Sequence, residues 1–296
     1  MFGKRKMKTL TDKKLFARIE PLFDVGLMST ASVLVAGCGS GGGSVALQLV
    51  MSGVRNFTLC DSDELEAENV IRHVCGLRYV GQRKVDALSD VLRDRNPNVS
   101  IKTLDTDLMK YETLEEEIRD ATVVVLATDN EGTRYRINQL CVATQTPFVV
   151  GRVFTRGIGG EVFSYQPVSG GCLACLERCL ERTQFREGIR EIDLVSDEER
   201  EAMYGFEAAE IKDSPGLAVD IAFITAFHAR FVLNAIADQL SSRPKYMQPI
   251  TENYIVWGNR PVHPFERHFQ VQRITLRPQT ECLVCGGGSN GRSSHS

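Results

Sequence analysis

Apolar and polar positions alternate in two rhythms along the first half of the chain. A β-prone apolar run at 32–36 leads into the glycine-rich stretch Gly37 to Gly43, and a helical pattern over 44–52 follows, closed by Gly53. That order predicts a strand, a turn and a helix. A second apolar run, 57–60, ends in Asp61 and Asp63, and the spacing from Lys84 to Arg95 predicts a helix that Pro97 stops. Strands are predicted at 99–104, 122–127 and 147–153, with a helix over 131–145. Alternation of this kind predicts an α/β fold with a Rossmann-like, doubly wound and mostly parallel sheet. Beyond it, 160–166 reads as β-rich and Gly171 to Cys179 as a cysteine-rich turn. A charged crossover segment, 181–215, is expected to run over the surface. Pro215 and Gly216 then open an apolar helix to about Leu240, and 268–276 reads as a strand.

Composition narrows the class. A chain of 296 residues, 43% hydrophobic, can bury one substantial core. The net charge of −3 gives no field that favours nucleic acid, and the basic group Lys4, Arg5, Lys6 and Lys8 reads as a solvated arm. No apolar run reaches the roughly 20 residues that span a bilayer, so neither nucleic acid nor membrane is expected as a partner and a cytoplasmic location is. In a reducing compartment the nine cysteines are to be read as metal ligands, reactive groups or packing rather than as a disulfide framework.

Two sets of residues carry chemistry by spacing alone. Gly37, Gly39 and Gly42 form G-x-G-x-x-G after a strand and before a helix, where backbone N–H groups and the helix N-terminus hold phosphate. Asp61, at the end of the next strand, suits a ribose hydroxyl, which leaves a dinucleotide-dependent oxidoreductase as one reading. The second set is two CxxC pairs, Cys172 with Cys175 and Cys282 with Cys285, a pattern that holds tetrahedral Zn²⁺. Four thiolates leave no open position for water, so such an ion is structural and clips the chain end to the region after the parallel sheet. A redox CxxC is the competing reading, while Cys38, Cys60 and Cys141 lie in apolar surroundings and read as small buried side chains. The organisation predicted is a helical arm (1–30), a nucleotide-binding Rossmann-like part (31–167), a smaller zinc-stapled β-rich part (168–285), and a disordered Gly/Ser-rich tail (286–296).

The segment DSDELEAENVIRH, Asp61 to His73, resembles the D-x-D-x-V-x-x-x-N-L-x-R-Q signature of the ThiF/MoeB/E1 superfamily, with Asn69 and Arg72 in register. Lys84 in GQRK matches that family's G-x-x-K lysine, and ATDNEGTRYRIN matches its A-x-D-N-x-x-x-R-x-x-x-N segment through Asp129, Asn130, Arg134 and Asn138. The resemblance runs from about Arg18 to Cys285. It departs from the family at His73, where Gln is usual, at Gly43, where Ser is frequent, and in the crossover segment.

The resemblance implies an E1-like adenylyltransferase that uses ATP and Mg²⁺, carries structural Zn²⁺, and activates the C-terminal carboxylate of a small ubiquitin-like or sulfur-carrier protein. The chemistry suits these residue types, because attack of a carboxylate on the α-phosphate builds negative charge that cations and a metal must meet. Arg72 and Lys84 are the expected cations, Asp129 the Mg²⁺ ligand, and Gly37, Gly39, Gly42, Asp61, Asn69 and Asn130 the remaining nucleotide contacts. Arg18 resembles an arginine that reaches into the partner subunit's ATP site, which implies a homodimer. Cys179, on the same helical face as Cys175, is a candidate thioester nucleophile beside Arg178 and Arg182, and Cys75 an outside one, although direct release of the adenylate to an external nucleophile or transfer enzyme is expected. Other readings are a peptide C-terminal adenylyltransferase making a stable nucleotide adduct, an NAD(P)-dependent oxidoreductase, and a non-catalytic partner subunit. The oxidoreductase would leave Arg72, Lys84 and Asp129 without a shared task.

Overall fold

A computed structural model describes residues 11–154, 157–167, 169–181 and 216–286. The basic group at residues 4–8, nearly all of the crossover segment, and the tail beyond 286 lie outside the described residues. Eight strands form one sheet: β1 (Ser32–Ala36), β2 (Asn56–Cys60), β3 (Ser100–Leu104), β4 (Val123–Leu126), β5 (Phe148–Val153), β6 (Gly159–Tyr165), β7 (Tyr254–Gly258) and β8 (Gln270–Ile274). They are ordered β3-β2-β1-β4-β5-β6-β7-β8. Neighbours from β3 to β5 are parallel, and from β5 onward each neighbour is antiparallel. The mostly parallel α/β sheet expected from the sequence is therefore present, with its β-rich extension continuing the same sheet.

Eight α-helices accompany the sheet among the described residues: α1 (Asp12–Leu15), α2 (Val25–Met28), α3 (Ser40–Met51), α4 (Lys84–Arg95), α5 (Leu114–Arg119), α6 (Glu131–Thr144), α7 (Leu173–Glu181) and α8 (Ala218–Gln239). The pleat of the strands divides the core. Val33, Val35, Val123 and Val125 join α3, α4 and α8 in one apolar cluster, while Leu34, Ala36, Val124 and Leu126 join α5, α6 and α7 in the other. Strands covered on both faces read as unbroken apolar runs, which explains why β1 and β4 are so plain in the sequence. Crossovers leave β1 on one side to β2 and β4 lies on its other side, so a crevice opens at the C-terminal ends of β1 and β4.

Four features differ from expectation. Helix α3 begins at Ser40, inside the glycines, rather than at Ser44. The cysteine-rich turn is the helix α7, whose Leu173, Leu176 and Leu180 are buried on one face. Strand β7, buried along its whole length, was not anticipated. Finally, α8 is by length and composition apolar enough to cross a membrane, against the expectation that no segment is. Its charges, Asp220, Arg230 and Asp238, are spread over 22 residues, so they interrupt the apolar run without lowering its average much. Here α8 packs against α3, β5 and β6 with most of its apolar side chains buried.

Candidate functional site

The glycine turn lies in the crevice at the end of β1. Gly37 has φ +94°, and a Cβ there would stand 2.8 Å from the Ala127 carbonyl at the end of β4. At Gly42 a Cβ would stand 1.9 Å from the Gly37 carbonyl, so only glycine lets the first turn of α3 close onto the loop. Gly39 differs: a Cβ there would meet nothing within 4 Å, and Gly39 is the N-cap of α3. Open space over a helix N-terminus, with two flanking glycines forced by backbone contact, is an arrangement that could cradle a phosphate group.

Acidic and basic groups gather around this turn from the ends of β2 and β4, from the loop after β2 and from the start of α4. Asp61, one residue past β2, accepts from Cys38 N at 2.7 Å through one carboxylate oxygen and from Asp63 N at 2.9 Å through the other. Burial pushes its carboxyl above the usual range, and those N–H donors together with Lys84 oppose the rise. Lys84, the first residue of α4, places Nζ 2.7 Å from Asp63 and is largely buried. Burial alone would lower its pKa, but the Asp63 hydrogen bond and the charges of Asp61, Asp63 and Asp129 raise it, so the ammonium stays charged. Arg72 is half-buried, and its charge acts together with that of Lys84 on the neighbouring His73. Asn69 commits its side-chain oxygen to the Glu66 N–H in a capping box, so a ligand hydrogen bond from it falls to the amide nitrogen.

Asp129 is exposed on the loop between β4 and α6. Its neighbour Asn130 N-caps α6, accepting from Thr133 N at 2.8 Å and Thr133 Oγ1 at 3.0 Å. The other two matched residues hold structure. Arg134, buried, donates from Nε to the Thr128 carbonyl at 2.8 Å and so braces the loop carrying Asp129. Asn138, fully buried, accepts from Leu173 N at 3.0 Å and ties α6 to the start of α7. Their motif letters gave no hint of these roles, since both contacts are to backbone groups distant in sequence or across a turn.

The four CxxC cysteines meet. Their sulfurs lie within 4.8 Å of one another, with Cys172 to Cys282 at 3.7 Å, Cys175 to Cys285 at 3.4 Å, and Cys172 to Cys175 at 4.0 Å. Sulfurs at about 2.3 Å from a tetrahedral zinc stand about 3.8 Å apart, so this cluster could hold that ion. Gln279 N donates to the Cys175 sulfur at 3.5 Å, the outer hydrogen bonding that thiolate ligands commonly receive. Beside the cluster, Arg152 of β5 forms ion pairs with Glu161 of β6 and, at 3.0 Å, with Glu177 of α7, while Tyr254 of β7 donates to Glu161 at 2.5 Å. Sequence reading missed this buried network.

Of the other predicted residues, Cys179 and Arg18 have no described contact with the crevice, while Cys38 and Cys60 lie in its wall only as buried side chains. Cys179 is partly buried against the apolar cluster by the four cysteines, and among the described contacts none joins it to Arg72, Lys84 or Asp129. Cys38, Cys60, Cys75 and Cys141 are buried as small side chains, and burial pushes the thiols of Cys60 and Cys75 up to about 12. Arg18 is exposed, close in sequence to α1, whose Asp12 pairs with Arg55 and accepts from Asn98. Those partners precede β2 and β3, so α1 packs at the N-terminal ends of the parallel strands, opposite the end at which the crevice of its own chain opens.

A profile of the ThiF family matches residues 25–284. Over 150 residues the chain is 34% identical to the adenylyltransferase and sulfurtransferase MOCS3-1 of Zea mays, covering 50% of this chain and 31% of that protein. Over 148 residues it is 31% identical to the sulfur carrier protein ThiS adenylyltransferase of Escherichia coli strain K12, covering 49% of this chain and 58% of that one. The match thus spans about a third of the first relative's length and somewhat over half of the second's. Among solved structures, E. coli MccB with AMPCPP and MccA superposes with a TM-score of 0.68 at 20% identity, covering 94% of this chain and 75% of that chain. E. coli MccB with ATP gives 0.65 at 20% identity, covering 88% and 69%. At that identity the likeness concerns the fold. Because the family profile takes in the glycine turn, Arg72, Lys84, Asp129 and three of the four clustered cysteines, the chain belongs to the ThiF family.

Proposed function

We propose that this chain uses ATP to adenylate the C-terminal carboxylate of a small sulfur-carrier or ubiquitin-like protein, releasing pyrophosphate. The observation that carries this reading is that the charges of Asp61 and Asp129 bear on Lys84, and those of Lys84 and Arg72 on His73, whose ring bonds to the Cys38 carbonyl within the glycine turn. The sulfur-carrier class is favoured over a peptide because a ThiS adenylyltransferase stands among the relatives above 30% identity. In the reaction, an oxygen of the substrate carboxylate bonds to the α-phosphorus while the bond from that phosphorus to the pyrophosphate oxygen breaks. Lys84 and Arg72 oppose the charge that builds on the phosphoryl oxygens, and the α3 N-terminus supports the phosphate chain. Asp61 orients the ribose. Asp129 is the residue that would hold Mg²⁺, which supplies charge neutralisation to the departing pyrophosphate. The cysteine cluster is proposed to bind one structural Zn²⁺, and Arg18 to enter a partner copy's site in a homodimer. The adenylate passes to an external nucleophile, and the location is cytoplasmic.

Exchange of labelled pyrophosphate into ATP, with candidate β-grasp proteins carrying a free C-terminus, tests the reading. Exchange should require Mg²⁺ and the substrate protein, and Asp129→Ala should lower it by about 100-fold or more, the effect of losing one electrostatic stabiliser. Exchange driven by short peptides alone would favour a peptide adenylyltransferase. Tight NAD binding with no response to ATP would overturn the reading in favour of an oxidoreductase.

A further inference from the structure

His73 stands where the family usually has glutamine, and it is 9% exposed, wedged between the glycine turn and the segment that follows Arg72. Its two ring nitrogens face opposite partners. Cys75 N lies 3.0 Å from Nδ1, and the Cys38 carbonyl lies 2.8 Å from Nε2. A backbone N–H can only donate, so Nδ1 must present a lone pair, and the single ring proton must sit on Nε2 and donate to Cys38. Cys38 is the residue between Gly37 and Gly39. Its N–H donates to Asp61 at 2.7 Å, so this one peptide segment is held by Asp61 from one side and by His73 from the other. The ring also packs on α3: a Cβ at Gly43 would lie 3.5 Å from His73 Nε2 and 3.2 Å from Val74.

We propose that neutral His73, with its proton on Nε2, is a positioning residue that holds the glycine turn in register with Arg72, so that phosphate donors and cation face one ligand. The inference rests on the reading of the crevice as an ATP site. It makes ATP binding depend on the protonation state of a group that never touches the nucleotide. A second proton on Nδ1 would confront the Cys75 N–H with another donor, and the clamp would open. The charges that bear on the ring are Arg72 from its own segment and Lys84 from the start of α4; Asp61 reaches it only through the Cys38 peptide. The first turn of α3, Ser40 to Gly43, brings no charge. Burial foremost, with both cations, lowers the histidine's pKa despite the Cys38 bond, so the neutral form prevails at pH 7 and is lost as the pH falls.

Direct titration with Mg-ATP by calorimetry, without substrate protein, tests this. His73→Ala should weaken ATP binding about tenfold at pH 7.5, the scale of one buried hydrogen bond lost with a partner left unpaired. His73→Gln, whose amide can donate to Cys38 but does not titrate, should restore binding at pH 7.5 and remove the loss of affinity expected of the parent as the pH falls below 6.5. If the alanine variant fails to fold, the comparison of the glutamine variant with the parent across that pH range decides alone. Equal ATP affinity in parent and His73→Ala, or equal pH profiles in parent and His73→Gln, would overturn the role of His73. A parent that binds no ATP at any pH would instead refute the nucleotide site itself.

Discussion

Replacing Arg152 by methionine should destabilise the protein more than almost any other single substitution outside the apolar core. Arg152 is 8% exposed, and both carboxylates it pairs with, Glu161 and Glu177, are 5% exposed. Methionine keeps the aliphatic stem and removes the charge, so the loss is electrostatic. Two carboxylates would then share a dry space without their cation, and breaking a buried pair by removing one partner costs about 3–5 kcal/mol. For a chain of this size that lowers the melting temperature by roughly 10 °C. The network joins β5, β6, β7 and α7, so amide exchange should rise first in α7 and at the β5–β6 pairing. Thermal melts followed by circular dichroism, with exchange mapped by mass spectrometry, measure both. The triple variant Arg152→Met, Glu161→Gln, Glu177→Gln should recover most of the loss, since the buried carboxylate charges are removed together with the cation. An Arg152→Met protein within about 1 kcal/mol of the parent would refute the electrostatic account.

Metal analysis of protein purified without chelators should find about one zinc per chain, and Cys282→Ser should lower both zinc content and melting temperature; a metal-free parent would remove the zinc assignment. Burial lowers the pKa of His228 from 6.5 to about 4, outweighing its 2.8 Å bond to the Val149 carbonyl. A folded-state pKa below the unfolded one gives stability that is full above pH 6.5 and is lost as the pH falls toward 4, on the order of 3 kcal/mol. His228→Gln should flatten that acid loss in melts between pH 7 and 4.5, and an unchanged slope would sink the attribution. Mixing Arg18→Ala with Asp129→Ala chains should regain about a quarter of parental exchange if the arginine acts across a twofold interface, and no regain would show that it does not.

The parallel half of the sheet was legible because its strands are unbroken apolar runs punctuated by Gly, Asp and Pro. The start of α3 was not, since glycine disfavours helix and only the close packing of Gly42 on the Gly37 carbonyl makes that first turn form. Cysteine spacing drew the eye to a turn at 171–179, although Leu173, Leu176 and Leu180 already carried the helical period. Strand β7, YIVWG, offered a short buried run without alternation, the pattern that periodicity alone cannot assign. In the site, Arg72, Lys84 and Asp129 could be named from sequence because each stands in a segment that resembles the ThiF/MoeB/E1 signature, whereas charge alone at any one of these positions is as easily a surface charge. His73, Arg134 and Asn138 could not be given roles, since each acts on a backbone group whose position only the fold supplies.

The antiparallel extension has a consequence for the chain as it leaves the ribosome. Everything that builds the phosphate cradle is made by residue 138, and β6 is complete at Tyr165, yet the partner that covers its open side, β7, starts only at Tyr254. At cellular translation speeds of about 5–20 residues per second, β6 waits on the order of 5 to 20 seconds with a bare edge of unpaired backbone. That edge, GGEVFSY, is buried along its whole length in the finished protein and carries one acidic side chain against self-association. The nascent chain is therefore most exposed to aggregation after its parallel strands have all been made, and a holdase that shields β6 during that interval should raise the yield of soluble protein more than one acting on the released chain.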